Sequence, residues 1–240
     1  MTSQKRSEAR KEQILKAAEK VFAKNGFHEA TISGVAREAG LSDATIYEYF
    51  STKEELLFSI PRETTRRGME RMAGYLKAIR GAGNKIRTII YHYLLFYQND
   101  PDYASVVMLV LKSNRKFLET EAYQVIREGF RGILTVIQEG IDSGEFRPDT
   151  DPYLVRQMIL GVMEHIVIRW LLLGKPKDLL QYADPVTDMI LGGIENRNPA
   201  QGWDLHIRLE PQGGVGGKQC RKFPKQKEKG VPRRRRERTS

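Results

Sequence analysis

Apolar side chains recur every three or four positions through most of the first 198 residues, and no stretch alternates apolar with polar as a half-buried strand would. The pattern predicts an all-α protein of about nine helices. Ile14, Leu15, Ala17, Ala18, Val21 and Phe22 form one face of a first helix that Asn25-Gly26 should stop. Thr31 caps a short second helix with Ile32, Val35, Ala36 and Ala39 inward, and Gly40 ends it. Ser42 caps a third. Ser51-Thr52-Lys53-Glu54 reads as a capping box opening a fourth. Leu56, Leu57, Met69, Met72, Tyr75, Leu76 and Ile79 continue that helix, and Pro61 inside it is expected to kink or break it. Gly81-Ala82-Gly83 precedes a fifth helix at 84–98, Asp100-Pro101 opens a sixth, and a long seventh is expected over 119–143. Asp151-Pro152 and Asp184-Pro185 read as caps followed by first-turn prolines, starting helices at 152–173 and 185–196.

Residues 31–50 carry the most specific local pattern. A helix-turn-helix needs a small residue where its helices cross, a glycine in the turn and an apolar residue just after it. Ala36, Gly40 and Leu41 supply them. On the third helix Ile46 and Phe50 face the core, which leaves Thr45, Tyr47, Glu48 and Tyr49 on or near the exposed side. A generic helical hairpin would satisfy the same spacing, so the letters themselves matter. TISGVAREAGLSDATIYEYFSTKEEL, with its lead-in ILKAAEKVFAKNGFHEAT, resembles the TetR family of transcriptional regulators over about residues 10–58. The later helices match that family in architecture, and their overall look is similar to its regulators of fatty-acid metabolism.

The resemblance implies a helix-turn-helix DNA-binding domain over 1–52 and a larger ligand-binding and dimerisation domain over 53–198. It implies a ligand-responsive repressor that binds a palindromic operator in double-stranded DNA as a homodimer and is released by a small apolar or acyl effector. Carried over by position, Thr31 and Lys53 should meet phosphate, Thr45, Tyr47 and Tyr49 should line the groove, and Ser33, Asp43 and Ala44 should read bases. Lys5, Arg6, Arg10 and Lys11 add charge ahead of the first helix. Glu48 departs from the bulky or basic residue more usual at its position, and phosphate repels it unless it accepts from a cytosine amino group or pairs with a neighbour. Pro61 sits where a hinge in the fourth helix would act, with a tolerated kink as the plainer reading.

Met69, Met72, Tyr75, Tyr93, Tyr97, Met108 and Phe130 form an aromatic and methionine-rich set suited either to ordinary core or to the lining of an apolar ligand site. For an acyl-CoA effector, Arg115, Lys116 or Arg127 could take the phosphates. Met158, Val162, Ile166 and Trp170, with Met189, Ile190 and Ile194 from the last helix, are the candidates for the dimer's four-helix bundle. Glu164-His165 lies within this apolar helix. Adjacent helical positions point about 100° apart, which suits a satisfied core or interface pair better than a shared metal.

Composition changes the picture in two places. The net charge of +10 and pI near 9.6 suggest a polyanionic partner, yet residues 211–240 hold eleven Lys or Arg against two acids and so supply nine of those ten charges. The segment from Pro199 onward, with its Gly213–Gly217 run, reads as a disordered basic tail that raises nonspecific nucleic-acid affinity or does nothing selected. A nonspecific binder acting through this tail is therefore the alternative to an operator reader. The single cysteine, Cys220, excludes a disulfide framework and a cysteine-based zinc site. No Glu-x-x-His pair, His-Glu-x-x-His, Gly-x-Ser-x-Gly or phosphate loop is present, so no catalytic residue, metal or cofactor is assigned. Charges replace the apolar run of a signal peptide, and Glu164, His165 and Arg169 interrupt the most apolar helix, so the expected setting is the cytoplasm with no membrane partner.

Overall fold

The computed structural model describes residues 3–196; the basic segment 199–240 with Cys220 lies outside them. Ten α-helices, one π-helical segment and two 3-10 turns are present among the described residues. The first three helices form a head. α1 (Ser3–Glu29) buries Ile14, Ala17, Ala18, Val21 and Phe22, while Leu15 is only half-buried. Its regular course is interrupted at Gly26, whose φ of 71° is open to glycine, and one further turn follows. Lys5, Arg6, Arg10 and Lys11 are exposed residues of α1 itself, not an arm ahead of it. α2 (Ile32–Ala39) and α3 (Asp43–Tyr49) begin at Thr31 and Ser42, whose hydroxyls accept from the Gly34 and Thr45 amides. Between them Gly40 is left-handed (φ 65°), its N–H donates to Arg37 O at 3.2 Å, and the Leu41 N–H reaches Ala36 O at 2.9 Å. This paired closure fixes the turn of the helix-turn-helix.

α4 (Lys53–Ala78) starts one residue later than the expected capping box. Thr52 accepts from Glu55 N at 3.0 Å, and the Glu55 carboxylate accepts from Ser51 N at 2.7 Å. Two acids fit the motif's last position, and the reciprocal bond selects the second. Pro61 neither ends nor splits α4. Its ring is buried, so packing offsets the amide bond it cannot donate.

The body is organised around α5 (Ala82–Asn99), which touches α4, α6, α8, α9 and α10. Gly81 offers no side chain to cap it. Glu145, from the loop beyond α8, reaches across to accept from the Ala82 and Gly83 amides at 2.7 Å each. α6 (Pro101–Ser105) starts at Asp100 as expected and widens into a π segment, Val106–Leu111. The expected long seventh helix is two, α7 (Glu121–Gly129) and α8 (Arg131–Asp142), meeting at Phe130, because α7 packs on α4 through Gly129. A Cβ at Gly129 would collide with Met69.

α9 (Pro152–Leu173) is capped by Asp151, which accepts from Tyr153 and Leu154 N, and ends at left-handed Gly174. α10 (Ala183–Ile194) starts earlier than Asp184 suggested, out of a 3-10 turn at Leu179–Tyr182. Asp184 therefore caps nothing. It pairs with Arg87, as does Asp188 at 2.6 Å.

Two glycines on α8 and α4 test this packing. A Cβ at Gly140 would collide with the Phe146 ring and come within 2.8 Å of Ala82 Cβ, whereas one at Gly74 meets nothing within 4 Å. Gly140→Ala should therefore lower unfolding free energy by about 1 to 3 kcal/mol through overpacking. Gly74→Ala should raise it by about 0.5 to 1 kcal/mol through helix propensity. Urea denaturation of the two variants checks both signs.

Candidate nucleic-acid interface and ligand cavity

α3 presents a polar, exposed face because Ile46 and the following Phe50 are fully buried and pin its other side. Ala44, Tyr47 and Glu48 are exposed, Tyr47 by 54%, while Thr45 and Tyr49 are half-buried and Tyr49 packs against the core. Ser33 and Asp43 are exposed and bonded to each other across the turn at 2.5 Å. Each thus orients the other, and an incoming base edge must share or replace that bond. The Thr31 hydroxyl accepts from Gly34 N at 3.0 Å and keeps its own proton for an outside acceptor.

Lys53 takes a role that the sequence does not announce. Its ammonium donates to Phe27 O (2.8 Å), His28 O (3.2 Å) and Ala30 O (2.8 Å), and it lies 4.5 Å from the Phe27 ring centre. Those carbonyls are the open acceptors at the end of α1, where a cation is favoured. All three ammonium donors are used. The expected phosphate contact would have to break this clamp, so the side chain acts here as a joint between α1 and α4.

Below the head a cavity of about 580 Å³ lies between α4, α5, α7 and α8. Met69, Met72, Tyr75, Tyr93, Tyr97 and Phe130 line it, six of the eight ligand candidates. Met108 does not: it is buried on the π segment and points to another side of it than its neighbour Val107, which does line the cavity. Arg115 is an exposed residue of the 3-10 turn Arg115–Glu119 and is likewise off the lining. Lys116, another phosphate candidate, pairs with Glu54 at 2.9 Å, and Arg127 is exposed on α7. The cationic side chains that do line the cavity are Arg71 and Lys112, and sequence periodicity pointed to neither. Burial drives the hydroxyls of Tyr93 and Tyr97 well above their usual pKa of 10, as it does that of Tyr103, so all three stay protonated.

The dimer candidates divide. Met158, Val162 and Met189 are exposed, Met189 by 77%, and Ile166 and Trp170 are half-buried. Ile190 and Ile194 are core residues, only 5% and 7% exposed, because α10 lays that stripe against the body. Glu164 pairs with Lys112, while its neighbour His165 is exposed. No group of His, Cys, Asp or Glu suited to a metal occurs among the described residues, and no described helix is long and apolar enough to cross a membrane.

Residues 14–60 match the model of bacterial regulatory proteins of the tetR family, and residues 62–193, more than half of the chain, match that of the C-terminal region of YsiA-like proteins. The chain belongs to the tetR family. It is 33% identical over 186 residues to the fatty acid metabolism regulator protein of Bacillus subtilis, covering 77% of this chain and 95% of that protein. The structure of FadR from Bacillus subtilis in complex with stearoyl-CoA superposes with a TM-score of 0.72 at 31% identity, over 77% of this chain and 99% of that one. FadR of Bacillus halodurans gives 0.70 at 30% identity, over 76% and 98%. The regulator is thus a ligand-responsive DNA-binding transcription factor, and its likeness to the fatty-acid regulators holds along both its head and its body.

In this regulator, head and body meet through contacts that no motif signals. Lys116 and Phe117, on the turn beside the cavity, hold Glu54 and Phe58 in the first turns of α4, the rings 5.7 Å apart. Tyr103, which lines the cavity, shares a 3.0 Å hydrogen bond with Thr65 of α4. Lys16 of α1 bridges Glu19 (2.8 Å) and Asp100 (2.9 Å) at the start of α6. Glu19 is only 4% exposed, and burial, with Asp100 adding repulsion, outweighs the pull of Lys16 and raises its pKa to about 7.

That shift sets a sign. A carboxyl whose folded value exceeds its unfolded value near 4.5 binds its proton more tightly when folded. Its contribution is therefore full below about pH 4.5 and lost as pH rises through 7. Glu19→Gln should gain stability over wild type progressively from pH 5 to pH 8, by up to about 3 kcal/mol at 1.36 kcal/mol per unit. Paired thermal melts across that range measure the difference, and a constant offset would contradict it.

Proposed function

We propose that this regulator is a repressor that binds a palindromic operator as a homodimer and lets go when an apolar acyl ligand fills its cavity. The observation that carries the reading is α4. Its first turns hold the head through Lys53 and the turn beside the cavity through Glu54 and Phe58, and its later turns, Thr65 to Leu76, line the cavity. A ligand that needs a different α4 therefore needs a different head position. Half-sites one turn apart are about 34 to 36 Å from centre to centre, so shifts of a few Å cost fit. Full reversal of a 1:99 equilibrium takes about 5.5 kcal/mol of differential affinity, which about seven extra buried methylenes supply at about 0.8 kcal/mol each. The known ligand of the Bacillus subtilis relative, stearoyl-CoA, has such a chain to spare.

On DNA, the exposed face of α3 with Thr45, Tyr47 and Tyr49 enters the major groove, Ser33, Asp43 and Ala44 lie toward the bases, and the Thr31 hydroxyl takes a phosphate. The division falls at residues 52 and 53, with 1–52 reading DNA and 53–198 binding ligand and partner. The homodimer forms on the apolar outer face of α9 and α10, where Met158, Val162, Ile166, Trp170 and Met189 lie beside exposed Leu154, Leu172 and Leu173. An apolar face of this extent is costly to leave in water.

Selection from random duplexes at moderate salt, using protein ending at Asn198, should recover one palindrome, and hexadecanoyl-CoA should release it. Full-length protein binding every duplex alike, with no enrichment for the shortened form, would move DNA binding to the basic segment. On the recovered operator, Tyr47→Ala should weaken binding by roughly tenfold without altering the melting temperature. Met158→Asp combined with Met189→Asp should turn a sedimenting dimer into monomer and depress operator affinity with it.

A further inference from the structure

One cation of the cavity wall is held by an acid that lies outside the lining. Lys112 lines the cavity, and its ammonium pairs with Glu164 of α9, both side chains about one third exposed (34% and 28%). Its position follows from the π segment before it. Lys112 N donates to Val107 O at 3.1 Å, five residues back, so that turn holds one residue more than an α turn. The extra residue swings each following side chain by about 100° around the axis, and such insertions recur at functional sites.

Chemically, the pair is half of a binding site. An ammonium has three donors, and Glu164 accepts one. Tyr93 belongs to the same wall. Its hydroxyl is shut off from water and stays protonated, with the Tyr97 hydroxyl and Glu164 as its electrostatic neighbours. The rest of that wall is ring and methyl surface: Tyr97, Val107 and Phe117 adjoin it. Among the described residues no acid lines the cavity. A ligand lodged here meets mostly apolar surface and a few donors, Lys112 and Arg71 the cations among them, and sparse donors on an apolar wall fix the orientation of a long-chain molecule with oxygen at one end.

We propose that Lys112 takes the carbonyl-end oxygens of the acyl ligand, and that Glu164 occupies the ammonium until they arrive. The inference rests on the acyl reading above and adds the point of recognition. Both a free carboxylate and an acyl thioester carry a suitable oxygen. Glu164, part-exposed, can turn to water when a ligand oxygen arrives, so the exchange leaves no buried anion unpaired.

The test is calorimetric titration of the full-length protein with hexadecanoate, hexadecanoyl-CoA and 1-hexadecanol. Lys112→Met should weaken the carbonyl-bearing ligand by roughly 10- to 100-fold, the range for a hydrogen bond to a charged group, and leave the alcohol within about twofold. Lys112→Arg should restore most of the loss, and Glu164→Gln should tighten hexadecanoate. A loss confined to hexadecanoate assigns the site to the carboxylate, and one confined to hexadecanoyl-CoA assigns it to the thioester carbonyl. Equal weakening of all three ligands by Lys112→Met, or no weakening of any, overturns the inference while the acyl reading stands. Wild-type protein that binds none of the three removes the acyl reading and this inference together.

Discussion

Three backbone carbonyls at the end of α1 and one ammonium from the start of α4 hold the head of this regulator to its body. Lys53 reaches Phe27, His28 and Ala30 at 2.8 to 3.2 Å, and the open end of a helix is where such a charge gains most. The same first turn carries Glu54 to Lys116 and Phe58 to Phe117. α4 therefore cannot move as a piece of the body alone. It touches the helix-turn-helix at one end and the cavity at the other, and this is the contact through which, on the proposal above, a ligand would act on the DNA.

The cavity is suited to that role because its polarity is sparse. Methionine and aromatic surface gives a long apolar chain most of its affinity without direction. The few polar groups, protonated tyrosines and Lys112 among them, would give direction without much affinity. Tyr103 belongs to both halves, with its ring on the cavity and its hydroxyl on Thr65 of α4. Glu19, which is buried, and the part-exposed Asp100 share Lys16 at a second joint between α1 and the body.

Much of the head was legible beforehand, because its signals are local. Thr31, Gly40 and Ser42 act within three or four residues of themselves, through caps and a left-handed turn that only certain side chains permit. The misreadings share a different origin. The capping box shifted by one because two glutamates fit it and a reciprocal bond chose between them. The long seventh helix split at Phe130 because Met69, sixty residues earlier in the chain, fills the space over Gly129. Ile190 and Ile194 carry the same apolar letters as Met189, and only the docking of α10 decides which of them meets water.

The sequence by itself determined the helical class, the turn and caps of the DNA-reading motif, the inward faces of the helices and the family to which the chain belongs. Each is written in spacing and in residue type over short range, where backbone geometry leaves few choices. Only the tertiary structure decided that Lys53 is a clamp, that Lys112 with Glu164 marks the cavity wall while Arg115 does not, and which apolar residues remain outside. Those outcomes depend on side chains brought together from distant helices. A charged or apolar residue carries no local mark of the partner it will meet, since Coulomb attraction and burial are indifferent to separation along the chain.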